Sequence, residues 1–414
     1  MPLPGSFDDH AVWLTRLADH LKRERYAGGA QSYQSTAKDF VGYLHRGALS
    51  VQTVQPSDVD KYLNSLRRQR KSRQRTDLSD GRRAASRSAI HMLLRLVHGQ
   101  WPMPSAPSTE REIFHHQVIK EYDAWMSDLR GLAVATRSDR CAAARRFLEW
   151  LGERGGQEKL STMAVAEVDA YVQWRVASLR RSSAKLLTVN LRSFLRHLHS
   201  AGRSPDLGSA VIGPKLYALE GIPSALRADE IEKVLQFVCR DRSPIGRRDY
   251  AILTLLSTYG LRAGEITALC LEDIDWTHDR LRIRHSKTGV HSELPLLRVP
   301  GDALLDYLRE GRPKTRVREV FLRANAPYRA LRSGSSLYSH LGDRLKAAGV
   351  TPQGRKGPHA FRHARAASLL QSGVPLKVIG DVLGHRSTQS TMTYLKLDRE
   401  ALRGVALDIP GVQP

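Results

Sequence analysis

The stretch GPHAFRHARAASLL, residues 357–370, sets a histidine and an arginine three positions apart where a helical pattern opens. Residues three apart on a helix share one face, so the side chains of His359 and Arg362 would lie side by side. A guanidinium beside an imidazole suits the binding of an oxyanion together with a proton transfer. This pair indicates a site that acts on an anionic group.

A second segment, STYGLRAGEI at residues 257–266, carries another arginine at a predicted helix start. Gly260 would end one helix, Arg262 would open the next, and Glu265 would follow one turn later. An arginine there can reach an anion beside unpaired helix N–H groups, and Glu265 can hold the guanidinium in place. Taken alone, the segment is more typical of an ordinary surface ion pair.

Two more segments complete the set. In RIRHSKTGVHSELPL, residues 282–296, Lys287 lies just before a predicted turn, where a solvated lysine is the ordinary interpretation. In LGHRSTQSTMTYLK, residues 383–396, His385 follows a helix end and Tyr394 comes nine residues later. The four segments together form an ordered pattern of Arg, Lys, His-x-x-Arg, Gly-His and Tyr, and the pattern is far more specific than any one of them.

This pattern closely resembles the tyrosine recombinase, or phage integrase, family. That family shows GLRxGE, a hairpin lysine, HxxRH, LGH and a tyrosine nine residues later. The resemblance covers about residues 223–396, and residues 121–212 look like the family's helical core-binding domain. One departure is HSELPL after the lysine, because many relatives place a basic residue near Glu293.

The resemblance implies an enzyme, a tyrosine-type DNA strand transferase that cleaves and rejoins duplex DNA through a 3′-phosphotyrosyl intermediate. It implies the catalytic residues Arg262, Lys287, His359, Arg362, His385 and Tyr394, with Glu265 supporting Arg262. The arginines would clamp the phosphate that Tyr394 attacks, and Lys287 would protonate the departing 5′ oxygen. No metal or other cofactor is expected, because two guanidinium groups can bind the extra charge of the transition state.

The composition agrees with a polyanionic partner. The chain has 414 residues, with 65 Lys and Arg against 42 Asp and Glu, a formal net charge of +23. Its three cysteines lie far apart without CxxC spacing, which argues against a disulfide framework or a thiolate zinc site and fits a reducing cytoplasm. No apolar run is long enough for a membrane span, so we expect a cytoplasmic protein without membrane partners.

The first half of the chain reads as helices and contains an internal likeness. FVGYL at Phe40 resembles FLEWL at Phe147, and VDKYL at Val59 resembles VDAYV at Val168, in the same order and at similar spacing. We interpret this as a duplicated helical unit. The alternative is that any two amphipathic helical segments share such fragments.

Each of these two units carries a one-signed basic stretch. The predicted DNA-binding residues are Arg67, Arg68, Arg70, Lys71, Arg73 and Arg75 in the first unit and Arg180, Arg181, Lys185 and Arg192 in the second. A solvated helix face normally mixes both signs of charge, so these stretches favour contact with phosphates. A merely solubilising surface is the alternative.

These patterns predict mainly helical N-terminal domains followed by an α+β catalytic domain with a small antiparallel sheet. We expect three domains. An N-terminal helical unit at residues 1–105 would be a duplicated DNA-binding domain of the SAM-like type. A core-binding domain would follow at 113–212, and a catalytic domain with a C-terminal tail at 223–414. In the last, the patterns predict helices over residues 228–238 and 250–259 and a hairpin over residues 281–296.

The resemblance also implies partners. It implies four copies of the chain on two sites in duplex DNA, in DNA integration or the movement of a mobile element; assembly with related recombinases is left open as an alternative. The rival interpretations are a type IB topoisomerase, which shares the chemistry but works as a monomer, and a non-catalytic DNA-binding accessory protein.

Overall fold

The computed structural model describes residues 8–26, 29–74, 79–103, 107–217, 225–285, 290–331, 333–352, 357–385 and 391. The chain divides into two compact units. One consists of residues 103–220, and the other combines residues 1–102 with residues 221–414. Across the described ranges, no helix is both long enough and apolar enough to cross a membrane.

The described residues of the first helical region, up to residue 102, form four helices. They are α1 (Asp8–Arg23), α2 (Ala30–Arg46), α3 (Pro56–Gln74) and α4 (Asp80–His98). Helix α2 packs against α1 and α4, and α1 also packs against α4. Leu17, Phe40, Leu44 and Leu93 are fully buried in the core between them. Phe40 and Leu44 lie one turn apart, so a single apolar stripe of α2 faces this core.

The second helical region repeats that arrangement. Its helices are α5 (Glu110–Asp128), α6 (Val134–Leu151), α7 (Gln157–Ser161), α8 (Val165–Val176) and α9 (Arg181–Ser200). Helices α5, α6 and α9 pack pairwise, as α1, α2 and α4 do. A capping box begins α5: the Thr109 hydroxyl accepts from the Glu112 N–H at 3.1 Å, and the Glu112 carboxylate accepts from the Thr109 N–H at 3.3 Å.

Each helical region contains an equivalent aromatic contact within its own core. Phe40 on α2 meets Tyr62 on α3 edge to face, with ring centroids 5.1 Å apart at an interplanar angle of 64°. Phe147 on α6 meets Tyr171 on α8 with centroids 4.9 Å apart at 66°. These four residues belong to the sequence blocks that resemble each other, so matching blocks occupy matching places in the two cores.

The region predicted to be catalytic, described over residues 225–385 with gaps and called the catalytic region below, is also mostly helical. Its helices are α10 (Ala228–Val238), α11 (Pro244–Tyr259), α12 (Ala263–Ala268), α13 (Arg298–Asp306), α14 (Ser333–Ala347), α15 (Pro358–Gln371) and α16 (Leu376–Leu383). Helix α11 packs against α10, α13 and α15 and is buried on nearly all sides, so it is the central helix of this core. The helix predicted over residues 228–238 is confirmed.

Helix α11 begins earlier than the predicted 250–259. The hydroxyl of Ser243 accepts a hydrogen bond from the Gly246 N–H at 3.1 Å, and Pro244 occupies the first helical position. A serine cap followed by proline is a favoured helix start, and this signal places the first residue of α11 before the apolar run.

Among the described residues of the catalytic region, three short strands form an antiparallel sheet: β1 (Ile274–Asp275), β2 (Arg280–His285) and β3 (Val290–Pro295), in the order β1-β2-β3. Strand β2 alternates exposed and buried residues, with Leu281, Ile283 and His285 facing inward. The predicted hairpin is confirmed, and residues 286–289 between its strands lie outside the described ranges. The mainly helical fold with one small antiparallel sheet agrees with the predicted fold class.

Polar contacts connect the first helical region to the catalytic region. The Arg25 guanidinium donates to the carbonyl oxygen of Lys314 at 2.7 Å, and Glu24 lies 3.7 Å from Arg329. The hydrophobic cores of the two regions are separate clusters. The two regions thus meet through surface charges within one compact unit.

Candidate active site

Arg262 is held in place at the junction of α11 and α12. The N–H of Arg262 and its guanidinium both donate to the Glu265 carboxylate, at 2.8 and 2.7 Å. Glu265 is the third residue of α12 and returns to the residue before the helix, as a capping carboxylate does. The guanidinium also donates to the carbonyl of Gly384 at 3.2 Å. Arg262 is therefore fixed from two directions.

Arg362 lies on α15 and is 3% exposed. Its guanidinium donates to the Gly260 carbonyl at 2.9 Å and to the Leu383 carbonyl at 2.6 Å. These partners lie at the C-terminal ends of α11 and α16, whose last carbonyl groups carry partial negative charge. A buried arginine needs such acceptors, because an unpaired charge in the core would be strongly destabilising.

The two arginines meet at one turn. Arg262 and Arg362 are a hundred positions apart in sequence, yet they bond the successive carbonyls of Gly384 and Leu383. Gly384 has a φ of +63°, and a Cβ there would lie 2.3 Å from the ring of His285. A glycine is required at this position by both backbone conformation and space.

Glu265 is the centre of a buried network. Its side chain is 1% exposed, and besides Arg262 it contacts Nδ1 of His285 at 2.8 Å. Burial alone would raise the pKa of Glu265, but the hydrogen bonds from His285 and Arg262 outweigh burial and lower it. Glu265 is therefore ionised at neutral pH and can balance the charge of Arg262.

His385 directly follows the turn to which the arginines bond. Its Nδ1 lies 2.8 Å from the hydroxyl of Thr391, a fully buried residue. Burial, together with the positive charges of Arg362 and Arg262, lowers the pKa of His385 to about 4. The imidazole is therefore neutral at physiological pH, and a neutral ring can donate from one nitrogen while it accepts at the other.

His359 lies in the first turn of α15, after Gly357 with its φ of +128°. Its ring centroid is 6.1 Å from that of His363 and 6.3 Å from that of Tyr338. The predicted helical spacing of His359 and Arg362 is thus present, with the arginine turned into the core and the histidine half-buried. The structure brings together Arg262, Glu265 and Arg362 through the contacts above, and His385 directly follows the two carbonyl groups to which the arginines bond.

Two of the predicted catalytic residues lie outside the described ranges. These are Lys287, between β2 and β3, and Tyr394, after the LGH segment. Their predicted roles stay predictions. Within the described part of the chain, no group of His, Cys, Asp and Glu side chains could hold a metal ion.

The predicted DNA-binding residues lie on helices of both helical regions. Arg67 and Arg68 are exposed on α3. The structure does not describe the side chains of the other predicted residues of this stretch, Arg70, Lys71, Arg73 and Arg75. Arg180 and Arg181 are exposed at the start of α9, with Lys185 half-buried one turn later. Arg192 donates to the Val211 carbonyl at 2.6 Å, so it also has a partner within its own unit.

Sequence reasoning missed His285. The residue is 2% exposed and occupies an inward position of β2, where the alternating pattern calls for an aliphatic side chain. A polar residue at an apolar position of a strand was the available signal, because buried polar groups need partners.

Several known proteins resemble this chain in sequence. A family model described as the phage integrase family matches residues 224–401. The Sinorhizobium fredii protein y4rA, named as an integrase/recombinase, is 38% identical over 331 residues, which cover 78% of each chain. The tyrosine recombinase XerD of Mycobacterium tuberculosis is 31% identical over 292 residues, 67% of this chain and 91% of that protein.

Solved structures show the same fold. Lambda integrase residues 75–356 bound to DNA match with a TM-score of 0.54 at 21% identity, covering 69% of this chain and 97% of that one. XerH bound to palindromic difH substrate matches with a TM-score of 0.54 at 13% identity, covering 98% and 97%. The topoisomerase and accessory-protein interpretations are not favoured by these relatives. On its motifs, its fold and its relatives, the chain belongs to the phage integrase, or tyrosine recombinase, family.

Proposed function

We propose that this protein is a site-specific DNA recombinase that cleaves and rejoins duplex DNA through Tyr394. The observation that carries the proposal is the convergence of Arg262 and Arg362 on the turn at residues 383–384. A site with two fixed guanidinium groups is suited to a phosphodiester, which offers paired oxygens for bidentate contacts. The motif order and the relatives named as recombinases and integrases support the same reaction.

In the proposed reaction the phenolic oxygen of Tyr394 attacks phosphorus. A bond forms between that oxygen and the 3′ phosphate, and the bond to the 5′ oxygen breaks. The phenol gives its proton to His359, the proposed base, and the 5′ oxygen gains a proton from Lys287. Rejoining reverses these steps with a 5′ hydroxyl of another strand. The phosphotyrosine link keeps the energy of the broken bond, so the reaction needs no ATP.

The arginines would stabilise the transition state. The pentacoordinate phosphorus carries more negative charge than the starting diester, and positive groups that are already oriented lose little energy in reorganising. Glu265 and the carbonyls of Gly260, Leu383 and Gly384 supply that orientation. Each arginine is therefore proposed to act on the rate of cleavage more than on DNA affinity.

One histidine is proposed to donate a hydrogen bond to the phosphate, and the other is proposed to transfer a proton. His385 is neutral at physiological pH and can donate one ring N–H to a non-bridging oxygen. His359, half-buried at the opening of α15, is proposed to take part in proton transfer near Tyr394. These two assignments follow the family motif, and the position of His385 beside the arginine turn supports the first.

Both helical regions are proposed to bind duplex DNA. In the second, the exposed Arg180 and Arg181 open α9. In the first, Arg68 and Arg82 are exposed on α3 and α4, whose residues include the basic stretch. The matching aromatic contacts in the two cores support a duplicated domain, so the first region is proposed to extend the DNA footprint.

The protein is proposed to assemble as a homo-tetramer on two DNA sites in the cytoplasm, within a mobile element; assembly with related recombinases is the alternative. One structural neighbour is a lambda integrase tetramer bound to a Holliday junction, with a TM-score of 0.53 at 20% identity, covering 77% of this chain and 88% of that one. Residues beyond Lys396, with apolar Leu397, Leu402 and Val405, are proposed to contact a neighbouring copy.

The proposal is tested with a nicked suicide substrate, which traps the covalent intermediate because the cleaved fragment diffuses away. Wild-type protein should give a protein–DNA adduct in EDTA and without ATP. Tyr394→Phe should bind the same DNA and give no adduct, since phenylalanine keeps the ring and lacks the nucleophile. The matched control is Tyr217→Phe, an exposed tyrosine of the second helical region. An adduct with Tyr394→Phe, or a strict need for Mg²⁺, would contradict the proposed reaction.

A further inference from the structure

His285 is a buried titratable residue that the proposed reaction does not use. It ends β2 on the inward face, after Leu281 and Ile283, and its side chain is 1% exposed. Buried imidazoles are uncommon on the apolar face of a strand unless both ring nitrogens have partners. The partners of His285 therefore indicate why it stands there.

Both nitrogens of this ring contact other elements of the catalytic region. Nδ1 lies 2.8 Å from Oε1 of Glu265 on α12, and Nε2 lies 2.8 Å from the hydroxyl of Ser292 on β3. A carboxylate only accepts hydrogen bonds, so Nδ1 carries a hydrogen and donates a hydrogen bond to Glu265. The ring also packs against Gly384, where no side chain fits.

The oxygen that accepts from His285 is the one that binds Arg262. Oε1 of Glu265 receives the guanidinium at 2.7 Å and the imidazole at 2.8 Å, while Oε2 receives the main-chain N–H of Arg262 at 2.8 Å. With three donors on two oxygens, the carboxylate has one defined orientation. Without the imidazole, Oε1 would keep a single donor, and the carboxylate and the guanidinium could turn together.

We infer that His285 is a positioning residue for strand cleavage, which orients Arg262 through Glu265. The inference rests on the proposed function. His285 also connects three separate segments, the β2–β3 hairpin, the start of α12 and the turn at Gly384. Since Lys287 follows His285 by two positions in the sequence, the same residue adjoins the segment that carries the proposed general acid.

Three substitutions separate positioning from packing. In His285→Asn the amide nitrogen takes the place of Nδ1 and can still donate to Glu265. In His285→Gln the amide nitrogen takes the place of Nε2, which keeps the contact with Ser292 and removes the donor to Glu265. His285→Phe fills the space and removes both hydrogen bonds. Single-turnover cleavage of the nicked substrate, DNA affinity and melting temperature are measured for each variant.

We expect His285→Gln and His285→Phe to cleave about 10- to 100-fold more slowly than wild type, because small displacements of a catalytic group have effects of that size. His285→Asn should retain most of the rate although its melting temperature falls as far as that of His285→Gln. DNA affinity should be unchanged in all three. The control is His278→Gln, an exposed histidine between β1 and β2, which should match wild type.

A double-mutant cycle with Glu265→Gln tests the route of the effect. If His285 acts through Glu265, then His285→Phe should slow cleavage little further once Glu265 is replaced. Rates that follow melting temperature across the three variants, or effects that multiply in the double variant, would overturn the inference. Full cleavage by His285→Phe would also overturn it and leave the proposed function intact, whereas the absence of an adduct with wild-type protein would reject the proposed function itself.

Discussion

Arg262 and Arg362 in the catalytic region have guanidinium groups bonded to a carboxylate and to main-chain carbonyls, whereas Arg68, Arg82 and Arg181 in the helical regions are exposed on helices. The first kind of arginine is fixed in a site of low dielectric, where its charge acts strongly over a few ångströms. An exposed arginine acts on a polyanion through solvent, and its interaction is screened by salt. Under the proposed function, position therefore divides one residue type between catalysis of bond exchange and capture of DNA.

The largest expected effect is that of exchanging the fixed arginines for lysine. Arg262→Lys and Arg362→Lys keep the charge and remove the planar fork that bonds two partners at once. Each should slow cleavage of the nicked substrate by about 10²–10³-fold, the usual effect of removing one transition-state donor. Equilibrium DNA affinity should hardly change.

The matched control for these variants is Arg298→Lys, since the Arg298 side chain is 93% exposed in the same region. It should cleave at the wild-type rate. Losses of affinity as large as the losses of rate would show that Arg262 and Arg362 serve as general anchors, and the contrast between the two kinds of arginine would then disappear.

The second prediction concerns Lys287 as the general acid. Lys287→Ala should reduce cleavage of ordinary DNA by about 10²-fold, the lower end of the range for loss of a positioned proton donor. A substrate with sulfur in place of the 5′ bridging oxygen should restore the rate, because a thiolate leaves without a proton. Arg362→Lys on the same substrate should stay slow. Equal defects of Lys287→Ala on both substrates would remove Lys287 from this role.

The third prediction addresses the exposed arginines of the first helical region. Arg68→Gln combined with Arg82→Gln should weaken DNA binding and lower the slope of log affinity against log salt by about 0.9 for each phosphate that the protein no longer neutralises. Cleavage by bound protein should be unchanged. Filter binding across a salt series and footprinting measure the two effects.

The control for that pair is Lys22→Gln combined with Lys38→Gln, which removes the same charge from the exposed surfaces of α1 and α2 in the same region. An identical drop in slope for both double variants would show that net charge matters and that α3 and α4 form no specific DNA contact. An unchanged slope for Arg68 and Arg82 would favour a solvated surface on this region.

The smallest expected effect is a loss of stability when the equivalent aromatic contact inside each helical region is removed. Phe40→Leu and Phe147→Leu each remove an edge-to-face contact and part of the buried volume, which should reduce the free energy of unfolding by about 1–3 kcal/mol. Hydrogen exchange should show the loss of stability in the region that carries the substitution. Cleavage rate and salt slope should not change. Clearly different losses at the two positions would argue against equivalent cores.

Much of the fold was predictable because it depends on local signals. The helix over residues 228–238 and the hairpin with inward Leu281 and Ile283 follow from residue spacing. Gly260 after α11 and Gly384 after α16 have positive φ, as expected for glycines that end helices. The start of α11 was misplaced, since the capping by Ser243 outweighs the beginning of the apolar run.

The sequence by itself determined the residue types of the predicted site and their order, because guanidinium, imidazole, amine and phenol groups carry their charge and proton chemistry in the side chain, whatever the backbone does. Only the tertiary structure decided that Arg262 and Arg362 share the turn at Gly384 and that His285 is the third donor to Glu265. Those contacts join residues far apart in the chain. They depend on how α11, α15, α16 and the hairpin pack, and residue spacing carries no information about such distances.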